Sequence, residues 1–394
     1  MSQSLLNIAG VSSASINAGI KNNDALDLSL ISLAEGTTTA GVFTQNVFCA
    51  APVVVAKNHL QQSPLALIIN SGNANAGTGA QGMENTVKTC EFLANELGIK
   101  TEQVLPFSTG VIGQQLDLSK FESGIPRAAG QLSADGMADV VQGILTTDLV
   151  KKTHSKTFEV AGKLVSISGI AKGSGMIRPD MATMLSFIFT DIQAEQDQLQ
   201  EALTKATNQS FNRITVDGDT STNDACTLSA TGASGVNLSN CSGEFQNALN
   251  EVTKSLAHQI IKDGEGATKF VEMRVKGGSS NEDCLEVAYI VAHSPLVKTA
   301  LFASDANWGR ILAAVGRANI KQLNIEDINI YLNQVSIVKS GEPDPTYTEA
   351  LGSIEMQKTD IVITIEIGNS NIQESVWTTD FSYDYVKINA EYRT

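Results

Sequence analysis

Two hydrophobic periods alternate along this chain, and that alternation excludes a fold built from helices alone or strands alone. Phe245, Leu249, Val252, Leu256 and Ile260 recur at spacings of three and four, predicting a helix that stops at Asp263-Gly264. The same spacing predicts a helix over 83–97, with Val87, Cys90 and Leu97 inward and Gly98 as its stop. A third spans 134–145 behind an N-cap at Ser133, and a fourth follows Ser294 with Pro295 in its first position. Between them lie β-branched and aromatic runs that read as strands: 65–70, 104–108, 164–168, 183–190, 285–292, 328–332 and 361–367. The class is mixed α and β. At ~150 residues per domain, 394 residues allow two or three domains. A change of texture across 270–285 reads as a loop at a domain boundary.

Charge and cysteine usage narrow the partners. With 27 Lys+Arg against 42 Asp+Glu the formal charge is -15, which phosphate backbones repel, so no nucleic-acid partner is expected. The longest apolar runs fall far short of the ~18 residues that a membrane helix needs, so no membrane partner is expected either. Cys49, Cys90, Cys226, Cys241 and Cys284 are odd in number and form no C-x-x-C pair. They read as reduced thiols, not as a disulfide framework or a zinc site. The first 21 residues carry no basic region followed by an apolar stretch and no Arg-rich amphipathic pattern. A soluble, cytoplasmic protein is the expectation.

Acid–base chemistry has few histidines to use: His59, His154, His258 and His293. His258 falls on the long helix and His293 at the end of the 285–292 strand. No G-x-S-x-G or H-E-x-x-H pattern is present. "GTGAQG" (77–82) matches the dinucleotide pattern G-x-G-x-x-G. However, a loop separates it from the preceding strand, and the next strand ends in Ser108, not in an acidic residue. A glycine-rich turn into a helix accounts for it better. "VDGDTSTND" (216–224) places Asp217, Asp219 and Asp224 together, but the glycine and distal Glu of a calcium loop are missing. A polar loop is the better reading, and metal is disfavoured. In "KGSGMIRPDMATMLSFIFTD" (172–191) two glycines follow Lys172, and a strand opens at Thr183. Thr183, Leu185, Phe187 and Phe189 share one face of it, and Met184, Ser186 and Ile188 the other.

"KGSGMIRPDMATML" resembles the autoprocessing signature of the ornithine acetyltransferases, or glutamate N-acetyltransferases, of arginine biosynthesis. "INAGIK" (16–21), "NSGNANAGTG" (70–79), "STGVIG" (108–113), "TTD" (146–148), "VDGDTSTND", "DGEGATKF" (263–270), "SPLVKTA" (294–300), "DANWGRILAAVGRA" (305–318) and "YDYVKINAEYRT" (383–394) resemble further family segments in order. The resemblance runs essentially end to end. It departs at Gly77, where the family often has Cys, and at Asp180, where it often has Asn.

The resemblance implies an α+β fold with an αββα sandwich core, of the kind shared with self-processing aminopeptidases, and a smaller α/β domain after about residue 275. It implies self-cleavage between Ala182 and Thr183 into an α chain (1–182) and a β chain (183–394). Thr183 would then carry acetyl from N2-acetylornithine to glutamate, with its own α-amine as general base near neutral pH. Thr109 and Gly110 would form the oxyanion hole. Thr146, Lys172, Thr183, Glu265, Asn389 and Thr394 would contact substrate. No cofactor is implied. The sequence leaves open whether acetyl-CoA is a second donor. The α and β chains of one precursor would pair as a heterotetramer. A self-processing aminopeptidase of related fold is the alternative.

Overall fold

A computed structural model describes residues 5–178, 184–321 and 323–391. Ala182, Thr183 and Thr394 lie outside the described residues. The chain divides into two compact units, Met1–Asn212 with Asp219–Ile260, and Arg213–Gly218 with Ile261–Thr394.

The first unit is a four-layer αββα sandwich. One sheet orders its strands Val11–Ile16, Leu28–Leu33, Ala66–Asn73 and Val104–Val111. The first three run antiparallel and the last pair parallel. The other sheet orders Thr38–Phe43, Ala225–Ala230, Leu185–Thr190, Lys163–Lys172 and Lys152–Val160, with the Ala225 and Leu185 strands parallel. Side chains alternate across each strand, so each sheet offers one apolar face to the other. Ile31, Leu67, Ile69 and Phe107 from the first sheet meet Ile170, Leu185, Phe187 and Phe189 from the second. The Phe107 and Phe187 rings meet edge-on at 5.0 Å. Leu185, Phe187 and Phe189, expected to share one face of their strand, do share the face that meets the first sheet.

Helices cover both outer faces. Gly79–Leu97 and Leu118–Ala129 lay Cys90, Leu93, Phe121 and Ile125 on Leu28, Leu30 and Ile68 of the first sheet. Gln196–Asn208 packs on the second sheet, and the long helix Ser242–Lys262 lies over it at Gly169. Gly169 allows the close approach of that long helix, because a Cβ there would stand 2.9 Å from both Val252 and Leu256.

The second unit carries a seven-stranded mixed sheet, ordered Glu342–Pro343, Val335–Lys339, Asn329–Leu332, Asp360–Glu366, Phe270–Lys276, Gln373–Thr379 and Ile214–Thr215. Val271, Met273, Ile330, Ile361, Ile363 and Ile365 bury against Asn281–Ala292 and its neighbouring helices. Among the described residues, no single helix is long and apolar enough to cross a membrane.

Several sequence expectations need correction. The 285–292 run is not a strand but most of the helix Asn281–Ala292. Its β-branched content misleads, because Cys284, Val287, Ala288 and Val291 are buried at helical spacing. Ser280 starts it by accepting the Asp283 N–H, and Glu282 and Asp283 suit its first turn. His293 is consequently a helix C-cap, with Nε2 3.0 Å from Thr215 Oγ1. The 270–285 stretch is no loop: it contains the strand Phe270–Lys276 and the start of that helix. The 134–145 helix is shorter, Met137–Gly143, with Gly136 as N-cap. Ser133 instead exchanges backbone hydrogen bonds with Ser13.

Candidate active site

Strand ends gather the polar residues of the first unit. The Val104–Val111 strand carries Thr109 and Gly110 near its end, beside a register shift at Gly72 and Asn73 in the parallel neighbour. Gly110 has φ +130°, and a Cβ there would fall 2.3 Å from the Gly72 carbonyl carbon. Only glycine fits that backbone and that approach. Thr109 is buried, and its Oγ1 accepts a hydrogen bond of 3.3 Å from Lys172 Nζ. Lys172 ends the Lys163–Lys172 strand in the other sheet and is 4% exposed. It stands opposite Leu185 in the antiparallel register, two residues past Thr183.

Asp148 organises the lysines and the glycine loop. Its carboxylate lies 2.7 Å from Lys152 Nζ and 3.9 Å from Lys172 Nζ, and accepts the N–H groups of Gly173 (2.7 Å) and Thr146 (3.1 Å). Neither the Asp148 nor the Lys152 side chain has exposed surface. Burial would raise the Asp148 pKa, but the Lys172 and Lys152 charges and the hydrogen bonds outweigh it and hold the carboxyl at about 2. Thr147 Oγ1 lies 2.7 Å from Ser174 Oγ, a further tie to the glycine loop.

Lys21, in "INAGIK", joins this cluster. Asp27 accepts the N–H groups of Ala18, Ile20 and Lys21 and so shapes the loop. Lys21 Nζ donates to the carbonyls of Leu26 (3.0 Å) and Leu145 (2.8 Å), the latter just before Thr146. Burial lowers its pKa, Asp27 opposes that, and the charge of Lys172 adds to it. Three lysines against Asp27 and Asp148 give this corner of an acidic chain a local positive balance, suited to a carboxylate ligand.

In the second unit Glu265 is 9% exposed and accepts a 2.9 Å hydrogen bond from Asn389 Nδ2. Glycines flank Glu265. A Cβ on Gly266, whose φ is +66°, would lie 2.5 Å from the Tyr385 nitrogen, so the C-terminal helix Tyr383–Ala390 can approach only there.

Of the expected site residues, Thr109, Gly110, Thr146 and Lys172 come together around Asp148, and Glu265 pairs with Asn389. Sequence reasoning passed over Asp148, Lys152 and Lys21 as individuals, although "TTD" and "INAGIK" contain two of them. Asp148 had one visible signal, its place beside Thr146 in "TTD"; "INAGIK" holds no implied site residue, and Lys152 lies in no motif. The "GTGAQG" stretch is a tight turn into the Gly79–Leu97 helix, where a Cβ on Gly82 would collide with Thr78 Oγ1. Among the described residues no group of three or more His, Cys, Asp or Glu could hold a metal ion.

The ArgJ family model matches residues 12–394. The arginine biosynthesis bifunctional protein ArgJ of Pseudomonas fluorescens is 48% identical over 392 residues, covering 98% of this chain and 97% of that protein. The protein of the same name from Methylococcus capsulatus is 49% identical over 391 residues, covering 98% and 96%. The crystal structure of arginine biosynthesis bifunctional protein argJ from Bacillus halodurans is 39% identical with a TM-score of 0.51, covering 53% of this chain and all of that one. Matches of this extent and identity, on a fold and a motif set that agree with them, make this chain a member of the ArgJ family of ornithine acetyltransferases, acyltransferases of arginine biosynthesis.

Proposed function

We propose that this chain cuts itself between Ala182 and Thr183, and that the freed Thr183 carries acetyl from N2-acetylornithine to glutamate. The observation that carries the reading is the register that sets Lys172, bonded to Thr109, opposite Leu185. The strand leading from Thr183 thus starts beside the proposed oxyanion residues. In the cleavage, the Thr183 hydroxyl attacks the Ala182 carbonyl carbon. The peptide C–N bond breaks, the α-amine is released, and water then frees the Ala182 carboxylate from the ester. In the transfer, the neutral α-amine takes the hydroxyl proton as the oxygen attacks the acetyl carbon. The tetrahedral oxyanion is held by Thr109 and the Gly110 N–H. Its collapse returns the proton to the departing amine of ornithine and leaves acetyl on Thr183. The neutral amine of glutamate then attacks the ester carbonyl carbon; the C–O bond to Thr183 breaks, the amine's proton passes through the Thr183 α-amine to the departing hydroxyl, and N-acetylglutamate leaves.

Thr146, Lys172, Glu265, Asn389 and Thr394 are the proposed substrate contacts, with the lysine cluster on the carboxylate and Glu265 on an ammonium group. The whole solved Bacillus halodurans chain matches 53% of this one, close to the share of a 212-residue β chain, which supports cleavage into two pieces. "Bifunctional" in the relatives' names supports a second activity, for which glutamate acetylation from acetyl-CoA is the proposal. No cofactor is proposed, and the α and β chains are proposed to pair as a heterotetramer. All five cysteines are free thiols, which supports a reducing, cytoplasmic setting.

A denaturing gel tests the cleavage. Wild type should give two bands and Thr183→Ala one, while Thr183→Ser, which keeps the hydroxyl, should retain some cutting. A wild-type chain that stays whole on prolonged incubation contradicts the proposal.

A further inference from the structure

The loop Ser221–Asp224 does more than turn the chain. Asp224 is 1% exposed, and its Oδ1 accepts the Met184 N–H at 2.9 Å. The next residue, Ala225, donates its N–H to the Met184 carbonyl at 3.2 Å, and the parallel register Ala225 to Leu185 continues from there. Met184 is therefore held at both its backbone groups by consecutive residues. The turn is itself fixed: Thr44 N–H donates to the Asp224 carbonyl at 3.0 Å, and Thr44 Oγ1 to the Ser221 carbonyl at 2.7 Å. Asn223 Nδ2 reaches the other sheet, donating to the carbonyls of Ser108 (2.9 Å) and Ala74 (2.6 Å). Ser108 directly precedes Thr109.

We propose that Asp224 is a positioning residue for the Thr183 nucleophile, and that Asn223 locks the same turn to the strand bearing Thr109 and Gly110. This inference rests on the Thr183 reading and adds a residue to it. A neutral amide could also accept the Met184 N–H, though without charge assistance, and burying a carboxylate costs desolvation. The charge gains a purpose at cleavage, which creates an α-amine one residue before Met184. A carboxylate at that distance along the chain favours the ammonium form and orients it. Ionisable groups on the elements packed against this turn include Lys57, whose Nζ donates to the Thr44 carbonyl, Cys49, whose thiol is pushed up by burial and by the Asp224 charge against the pull of Lys57, and Lys172, opposite Leu185 on the far side of the Leu185–Thr190 strand. None of them replaces the carboxylate at the Met184 backbone.

The test compares wild type, Asp224→Asn and Asp224→Ala as cut proteins, with kcat and KM for N2-acetylornithine and glutamate measured across pH. Asp224→Asn keeps the Met184 hydrogen bond and loses the charge. Its acid limb in kcat should move down by about half a unit to one unit, with KM for both substrates within about twofold of wild type. Asp224→Ala loses the bond as well, and its kcat and self-cleavage rate should each fall by about tenfold or more. Should the alanine variant fail to fold, the isosteric asparagine variant decides alone. An acid limb in Asp224→Asn that coincides with wild type overturns the inference, as does a KM change without one. Wild type recovered as a single chain would sink the Thr183 reading and this inference together. Cut wild type with an unmoved limb in the variant sinks this inference only.

Discussion

Asp148 is the side chain on which the polar site of the first unit converges. It neutralises Lys152, faces Lys172, and accepts the N–H groups of Gly173 and Thr146. Its folded pKa is held below the ordinary carboxylate value, so its contribution to stability is complete above that ordinary range. The contribution is lost as pH falls toward about 2. Asp148→Asn leaves Lys152 buried without its counter-charge and should cost about 3–5 kcal/mol at neutral pH. Urea unfolding at a series of pH values checks this. The variant should lose less stability than wild type between the ordinary carboxylate range and the acid limit, and parallel acid profiles would contradict the account. Thr109, Gly110 and Lys172 were legible because their motifs resemble family segments. Asp148 was not, because a buried carboxylate is recognised by what it touches, and Lys172 reaches it from 24 positions away in the chain.

Elements were read well where one period dominated. The long helix buries Leu249, Val252 and Leu256, and Phe187 and Phe189 share one face of their strand, both as expected. The helix Asn281–Ala292 was misread because Val287, Ile290 and Val291 give it strand-like content, whereas burial of Cys284, Val287, Ala288 and Val291 at helical spacing overrode that propensity. The next helix, Pro295–Phe302, starts at Ser294 as expected but holds a feature that no periodicity shows. Lys298 is 1% exposed, and its Nζ donates to Thr378 Oγ1 at 2.9 Å and to the Thr379 carbonyl, over the Phe381 ring. Burial pushes its amine down from 10.5 to about 7, against the pull of Asp380 and Asp217. Between those values the unfolded chain holds a proton that the folded one does not, so stability should rise with pH across that window. Lys298→Met should flatten this rise. Thermal unfolding from pH 7 to 10 measures it, and an equal slope in both proteins would contradict the assignment.

For the whole molecule, the αββα layering was implied by family resemblance more than by local pattern, whereas the second unit opens at Ile261 and takes in Arg213–Gly218, which neither indicated. Periodicity gives elements, whereas sheet order depends on which strands pair across more than a hundred residues, as Thr38–Phe43 does with Ala225–Ala230. The proposed chemistry parks acetyl on the enzyme between two substrates, so initial rates should follow ping-pong kinetics. On the proposed mechanism one residue, Thr183, is both the new N-terminus and the acetyl carrier. Mass spectrometry of the purified wild type, incubated with N2-acetylornithine alone, tests it most directly. The account predicts two chains meeting at Ala182–Thr183, the 212-residue chain heavier by one acetyl group on Thr183, and loss of that group on adding glutamate. An uncut chain, or a cut β chain that never carries acetyl while N-acetylglutamate still forms, would contradict it.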